Sequence, residues 1–395
     1  MKFDAVIGAN YGDEGKGLVT NYLSLKNKES KGLIILNNGG AQRGHTVEME
    51  NGFRHVFKHF GSTVNPNYKS YCSEYFIVNP CLWNQERIEL QKKGLTPELI
   101  VHPSCKVSTV FDMMLNQMLE LSRGEERHGS VGVGIWETIC RDEKIPIKFS
   151  IPSSELFGYS LKEKIIKYFK DKVNEYNISE KVKQHFELNT LDLDGLYGHW
   201  AYDFMQMKNM CRTEDKFGNY EFEHVIFENG QGLLLDQSIS MIHSTPSYTG
   251  TNNILYMYQR QLFPHIRLPD FTLNTYYVSR CYLTRHGAGD LPFECDPTNL
   301  LSAYEPDLTN QPNDYQGTLR YAKLDCKSLG KRIYDDFKFL KEYIKFADLN
   351  VVFTHVNEID YNYINLYNEL KRNIPYYYKN TFISNSKYPE SIVQL

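Results

Sequence analysis

The sequence predicts an α/β protein with a mainly parallel central sheet flanked by helices, and three observations predict it. Short apolar, β-branched runs recur at 4–9, 32–36, 75–78, 99–102, 224–227, 275–279 and 350–354. Continuous runs of this kind mark strands buried on both faces, as in parallel sheets. Helical patterns separate them, which is the alternation of an α/β sheet. Glycine-rich loops follow the first two runs, at the strand ends where such folds bind ligands.

The remaining elements follow in order. Residues 46–49 and 55–57 flank Asn51-Gly52, the strongest turn signal in the chain, and predict a small hairpin. Residues 161–185 are amphipathic, with Leu161, Ile165, Ile166, Phe169 and Val173 at three- and four-residue steps. That stretch opens a helical subdomain reaching to about Arg212. The tail after Asp360 is rich in Tyr and Asn and reads as packing; no internal repeat is found.

Composition narrows the class. The 395 residues suit about two domains or one large α/β domain with insertions. With 41% apolar and 23% charged residues, the chain can fill a core. Balanced charge, 44 Lys+Arg against 48 Asp+Glu, argues against a dedicated duplex nucleic-acid binder. No stretch approaches the ~18 apolar residues of a membrane span, and Met1–Gly8 reads as a strand rather than a leader. The eight cysteines form no C-x-x-C pair, so buried thiols in a reducing cytoplasm are expected, with neither zinc site nor disulfide framework.

Two loops carry chemistry. The first strand ends in Gly8-Ala9-Asn10-Tyr11-Gly12-Asp13-Glu14-Gly15-Lys16-Gly17 ahead of a helix, an arrangement that aims backbone N–H groups and the helix dipole at an anion. It is no Walker A loop, because Leu18 and Val19 stand where Lys and Ser/Thr belong. Lys16 sits inside the loop beside Asp13 and Glu14, and an acid in a phosphate cradle points to magnesium, a general base, or both. The second loop, Asn37-Asn38-Gly39-Gly40-Ala41-Gln42-Arg43-Gly44-His45-Thr46, places a histidine and amide side chains at the next strand end. Alone, His45 would read as structural; beside the first loop it reads as catalytic.

These loops carry a family resemblance. G-D-E-G-K-G at 12–17 and G-H-T at 44–46 resemble the two signature motifs of the adenylosuccinate synthetase family. Phe227-Glu228-Asn229-Gly230-Gln231-Gly232 resembles its F-E-G-A-Q-G segment, and residues 245–252 its Y-P-Y-V-T-S-S-N loop. Thr284-Arg285-His286-Gly287-Ala288-Gly289 resembles T-R-V-G-A-G, and Leu324-Asp325 the end of its arginine loop. The motifs stand in the family's order over about residues 1–360, which implies one family-type domain over 1–395 with a helical subdomain at about 150–220.

The resemblance implies a ligase that phosphorylates the 6-oxo group of a purine nucleotide and displaces that phosphate with the amine of L-aspartate. Asp13 then takes the N1 proton, His45 stabilises the charge on O6, and Gln231 contacts the 6-substituent. Mg²⁺ falls to Asp13 and the Gly44 carbonyl. The donor nucleotide falls to Gly12, Glu14, Gly15, Lys16, Gly17, Gly44 and Thr46, with Asn357 and Ser384 further on. The monophosphate falls to Asp13, Gln42, Ser130, Arg141, Gln231, Thr249 and His286. Arg141 resembles the arginine that reaches a neighbouring subunit's nucleotide, which implies a homodimer with a shared site. Aspartate falls to Gly317, Thr318 and Arg320.

Departures from the pattern are informative. Gln316-Gly317-Thr318-Leu319-Arg320 retains one arginine of an arginine-rich loop, and Val131 replaces a threonine. Thr354-His355-Val356-Asn357 stands where the family reads T-K-L-D, whose aspartate accepts from guanine N1–H and N2–H₂ of GTP. Asn357 both donates and accepts, which suits adenine, so the resemblance implies ATP or dATP as donor. Together with G-I-W-E-T at 134–138, these features resemble the family's bacteriophage branch, which joins aspartate to dGMP on the route to 2-aminoadenine. Asp13, a small residue in that branch, keeps IMP or dIMP open. The alternatives are conventional IMP- and GTP-dependent synthesis, or a nucleotide-binding paralogue without ligase activity.

Overall fold

The computed structural model describes residues 1–218, 221–239, 244–267, 271–302, 308–310, 315–359, 363–374 and 378–395. In chain order the strands are β1 (Lys2–Gly8), β2 (Gly32–Leu36), β3 (Gly39–Gly40), β4 (His45–Glu48), β5 (Arg54–Phe57), β6 (Tyr68–Cys72), β7 (Phe76–Val78), β8 (Leu99–Val101) and β9 (Lys106–Val107). There follow β10 (Arg212–Thr213), β11 (His224–Glu228), β12 (Thr272–Arg280), β13 (Tyr282–Arg285), β14 (Arg320–Lys323), β15 (Phe346–Thr354), β16 (Tyr378–Ser384) and β17 (Ile392–Gln394). The helices are α1 (Lys16–Lys26), α2 (Pro80–Lys92), α3 (Val110–Arg123), α4 (Ile135–Asp142), α5 (Ser153–Leu156) and α6 (Tyr159–Glu175). The rest are α7 (Glu180–His185), α8 (Leu193–Met210), α9 (Asn252–Gln259), α10 (Cys326–Tyr343) and α11 (Tyr363–Asn373).

Among the described residues, ten strands form one sheet in the order β10-β8-β6-β2-β11-β1-β12-β15-β16-β17. Every neighbouring pair is parallel except β16 and β17. The expected α/β architecture is present. Side-chain alternation divides the sheet's two faces: Ala5, Ile7, Leu33 and Ile35 enter one core, while Val6, Ile34 and Leu36 enter the other. The second core continues without a break into Ile165, Phe169, Trp200 and Phe204 of the helical stretch.

Two expectations change in detail, and a third falls partly outside the described residues. The 75–78 run pairs as β7 with β3 and β9 in a separate small sheet, and β6, whose Tyr-Lys-Ser-Tyr-Cys sequence looks polar, takes the place in the main sheet. The 161–185 helix breaks in two, because Asn177 adopts φ 50° and the Ser179 side chain caps α7 at Val182 N. Parts of the Tyr- and Asn-rich tail, 360–362 and 375–377, lie outside the described residues. The hairpin forms as expected: β4 pairs with β5, and Gly52 at φ 86° supplies the left-handed turn residue. All eight cysteines are free thiols. No helix among the described residues is long and apolar enough to cross a membrane.

Because neighbouring strands run parallel, β1, β2, β11, β12 and β15 all end on one edge of the sheet. The loops that leave this edge carry the sequence motifs.

Candidate active site

The first loop folds around an internal ion pair. Glu14 Oε1 accepts from Asn10 N at 2.9 Å and Gly12 N at 2.8 Å, and Lys16 Nζ donates to Gly12 O at 2.6 Å and Glu14 Oε2 at 3.1 Å. Both side chains are buried. Glu14 and Lys16, expected at a phosphate, here hold the shape of the loop. Gly15 caps α1 at φ 90° with no side-chain capping bond. Gly17 is a packing residue, since a Cβ there would meet Thr46 O at 2.7 Å.

The second loop is tied to β11. Glu228, at the end of that strand, lies 2.5 Å from Arg43 Nη2 and 2.8 Å from His45 Nδ1, with all three side chains buried. Burial, then the Arg43 charge, lowers the His45 pKa to about 3, so the ring is neutral at physiological pH. Glu228 is held well below the carboxylate range by Arg43 and His45, which outweigh its burial.

Both loops open on one cavity of about 760 Å³. Gly12, Asp13, Gln42, Gly44, His45, Ser130, Gln231 and His286 all line it, from five segments of the chain. Burial raises the Asp13 pKa against the opposing charges of His286 and Arg280; His286 Nε2 lies 3.8 Å from Asp13 Oδ2 and 3.0 Å from Asn310 Oδ1. Gln42 Oε1 and His286 Nδ1 are buried without a hydrogen-bond partner. Gln231 adopts φ 56°, and a Cβ on Gly12 would sit 3.2 Å from its Cα, so the two motifs touch through glycine. The Ser130 hydroxyl donates to Asn116 Oδ1.

Other expected site residues stand elsewhere. Arg141 is fully buried, paired with Asp112 at 3.1 Å and donating to Val107 O and Ile145 O, all within its own chain. Thr249 is buried behind the wall, with its N–H and hydroxyl on Asp236. The Ser384 hydroxyl donates to Ser386 O and pairs with Ser391 Oγ in the last turn. Arg320 grips Glu294 and donates to Gly287 O and Gly289 O, which leaves little of its guanidinium for a substrate carboxylate. Gly317, at φ 78°, and exposed Thr318 lie just beyond Gln316, which lines the cavity. The Thr46 hydroxyl pairs with Thr309 Oγ1 at 2.6 Å. Asn357 is exposed just past the end of β15.

Sequence reading passed over Glu228, Arg43 and Glu137. All three lay inside quoted motifs, and for the first two a carboxylate closing a strand opposite a loop cation and a histidine was the available signal. Glu137 lines the cavity from the first turn of α4.

Fold and site define a nucleotide-handling α/β enzyme that sets acid–base groups beside phosphate-type loops. The adenylosuccinate synthetase family model matches residues 5–320, and the chain belongs to that family of C–N ligases, which join aspartate to a purine nucleotide. It is 25% identical over 359 residues to adenylosuccinate synthetase 1 of Photorhabdus laumondii, covering 88% of this chain and 77% of that one. It is also 25% identical over 311 residues to the Malacoplasma penetrans adenylosuccinate synthetase, covering 75% of this chain and 66%, just under two thirds, of the relative. Two solved structures share the fold. Fully ligated Plasmodium falciparum adenylosuccinate synthetase has a TM-score of 0.69 at 16% identity, covering 99% of both chains. Cyanophage S-2L succinoaminodeoxyadenylate synthetase, bound to dGMP and dATP, has a TM-score of 0.62 at 14% identity, covering 100% of this chain and 95% of that one.

Proposed function

We propose that this ligase joins L-aspartate to C6 of dGMP, with ATP or dATP as phosphoryl donor, giving N6-succino-2-amino-2′-deoxyadenylate. The observation that carries the ligase chemistry is the convergence of Asp13, His45 and Gln231 on one cavity. Asp13 accepts the N1 proton, which moves negative charge to O6. Burial makes this carboxylate a stronger base. His45 is neutral, and its Nδ1 lies 2.8 Å from both Arg43 Nη2 and Glu228 Oε1, which orient the ring to stabilise the charge on O6. O6 then attacks the γ-phosphorus of the donor, whose bond to the departing diphosphate breaks. The aspartate amine next adds at C6 and phosphate leaves.

Asp13 and the Gly44 carbonyl are hard oxygen donors on the same cavity wall, a sparse set that suits Mg²⁺, which retains waters and takes substrate phosphates. Bound there, the ion would neutralise phosphate charge.

Asn357 supports an adenine donor, because its amide pairs with both N6–H₂ and N1 of adenine. The dGMP and dATP of the cyanophage structure agree with this reading. The retained Asp13 and the bacterial relatives favour a second one, conventional synthesis from IMP with GTP. Phosphate release measured with IMP, GMP and dGMP, each crossed with ATP, dATP and GTP in the presence of aspartate, separates the two. Highest activity with dGMP and an adenine nucleotide is expected; equal or better activity with IMP and GTP overturns the proposal. Asn357→Asp is expected to shift the donor preference towards GTP, incompletely, because His355 stands where the family has lysine.

A further inference from the structure

One wall of the cavity carries an uncapped helix start and a buried acid. Helix α4 is eight residues long and begins at Gly134, φ 72°, with no side chain capping its N–H groups. Gly129 and Gly132 ahead of it also adopt positive φ, at 78° and 83°. A one-way chain of hydrogen bonds ends in the first turn of this helix. Ser130 Oγ donates to Asn116 Oδ1 at 2.8 Å, and Asn116 Nδ2 donates to Glu137 Oε1 at 3.1 Å. Glu137 is 5% exposed, and its Oε2 is buried with no partner at all. Since Oε1 already accepts, a proton on this acid sits on Oε2, as a buried donor without an acceptor. Such a group carries an unrecovered desolvation cost until a ligand supplies the acceptor. An uncapped helix start beside an acid O–H matches a ligand group made only of acceptor oxygens.

We propose that Glu137 binds in its neutral form and donates from Oε2 to the 5′-phosphate of the purine nucleotide. The inference rests on the proposed nucleotide substrate and goes beyond it by making monophosphate recognition depend on a proton. Burial, with a smaller push from Asp112, raises the Glu137 pKa to about 7. The surrounding charges are largely committed. From α3, Asp112 pairs with Arg141 of α4 and Glu120 pairs with Arg123; β9, also packed on α4, carries Lys106 as its one charged side chain. A phosphate dianion beside Glu137 favours the protonated acid further, so binding above pH 7 takes up a proton.

The test is titration calorimetry at pH 8 in two buffers of different ionisation enthalpy, with dGMP, IMP and deoxyguanosine as ligands. Uptake approaching one proton is expected for whichever monophosphate binds, and none for deoxyguanosine. Glu137→Gln, whose amide still donates, is expected to bind the monophosphate within a few-fold while losing the uptake. Its KM for the nucleotide should stay flat between pH 7 and 9, where that of the wild type rises. Monophosphate binding without uptake, equal uptake with deoxyguanosine, or uptake that survives Glu137→Gln each overturns the role of Glu137. The first two arms need only the wild-type protein. If dGMP fails to bind while IMP binds with proton uptake, the dGMP assignment falls and the Glu137 proposal stands.

Discussion

Replacing Glu228 with glutamine separates what the buried triad does for stability from what it does for catalysis. In the folded protein this carboxylate faces Arg43 at 2.5 Å and His45 at 2.8 Å, and it also accepts from Ser62 N at 3.3 Å. Neither Arg43 nor Glu228 exposes its side chain to water. Glu228→Gln preserves shape but strands the Arg43 guanidinium, and breaking a buried pair in this way costs ~3–5 kcal/mol. Against a total stability of about 5–15 kcal/mol, that is a large share. For a chain of 395 residues, a fall in Tm of about 4–6 °C is expected. Turnover is expected to fall as well, by ~10²–10⁴-fold, because His45 loses the anion that orients it. The double variant Arg43→Met/Glu228→Gln removes the stranded charge, so it should regain most of the lost Tm while turnover stays low. Thermal unfolding followed by circular dichroism, paired with the phosphate-release assay, reads both quantities. A Glu228→Gln protein with unchanged Tm, or a double variant that regains turnover along with stability, would falsify the account of the triad.

Other expectations follow from the same geometry. Asp13→Ala should lower turnover by ~10²–10⁴-fold with folding retained, as should His45→Ala; near-normal turnover removes that residue from the chemistry. The His45 pKa of about 3 lies below the ~6.5 of an unfolded histidine, so the unfolded chain binds the proton first and stability falls as pH drops from about 6.5 towards 3. Between pH 7 and 5 this amounts to about 2 kcal/mol, and His45→Asn should show a correspondingly shallower loss in denaturant titrations. Arg320 holds the carbonyls of Gly287 and Gly289 beside His286, so Arg320→Ala should raise the monophosphate KM at least as much as the aspartate KM. A rise confined to aspartate would return this arginine to the substrate carboxylate.

The sheet was legible wherever parallel strands are buried on both faces, because such strands must be largely apolar, even where buried polar groups such as Asp4 and Asn350 stand among them. The runs at β1, β2, β11, β12 and β15 satisfy that rule. β6 escaped because Lys69 and Ser70 interrupt its apolar character; Ser70 is buried with its hydroxyl accepting from Gly61 N, a contact no local pattern announces. The site was legible as loops and less so as side chains. Asp13, His45, Gln231 and His286 meet because each follows a strand, or a hairpin joined to one, at the same sheet edge. Arg141, Thr249 and Ser384 also lie near motif positions, yet each turns inward to satisfy a buried partner. Sequence spacing says which edge a residue reaches, whereas the direction of its side chain depends on partners that no motif marks, from Ser386 beside Ser384 to Asp112 and Val107 beside Arg141. The Arg43–Glu228 pair shows the same limit from the other side.

The place of β1 in the sheet has a consequence for how the protein comes into being. Among the described residues its strand partners are β11 and β12, beginning with Lys2 opposite His224 and Phe3 opposite Leu273. During synthesis β1 therefore emerges long before either of these neighbours. About 220 residues must be made before its first neighbour exists, roughly 10–40 s at ordinary rates of synthesis. Through that interval the apolar Ala5-Val6-Ile7 stretch has no native partner on either side, which makes the nascent chain a natural client for chaperones. A fragment ending before residue 224 leaves the phosphate-type loop of β1 without the strands that hold it in place.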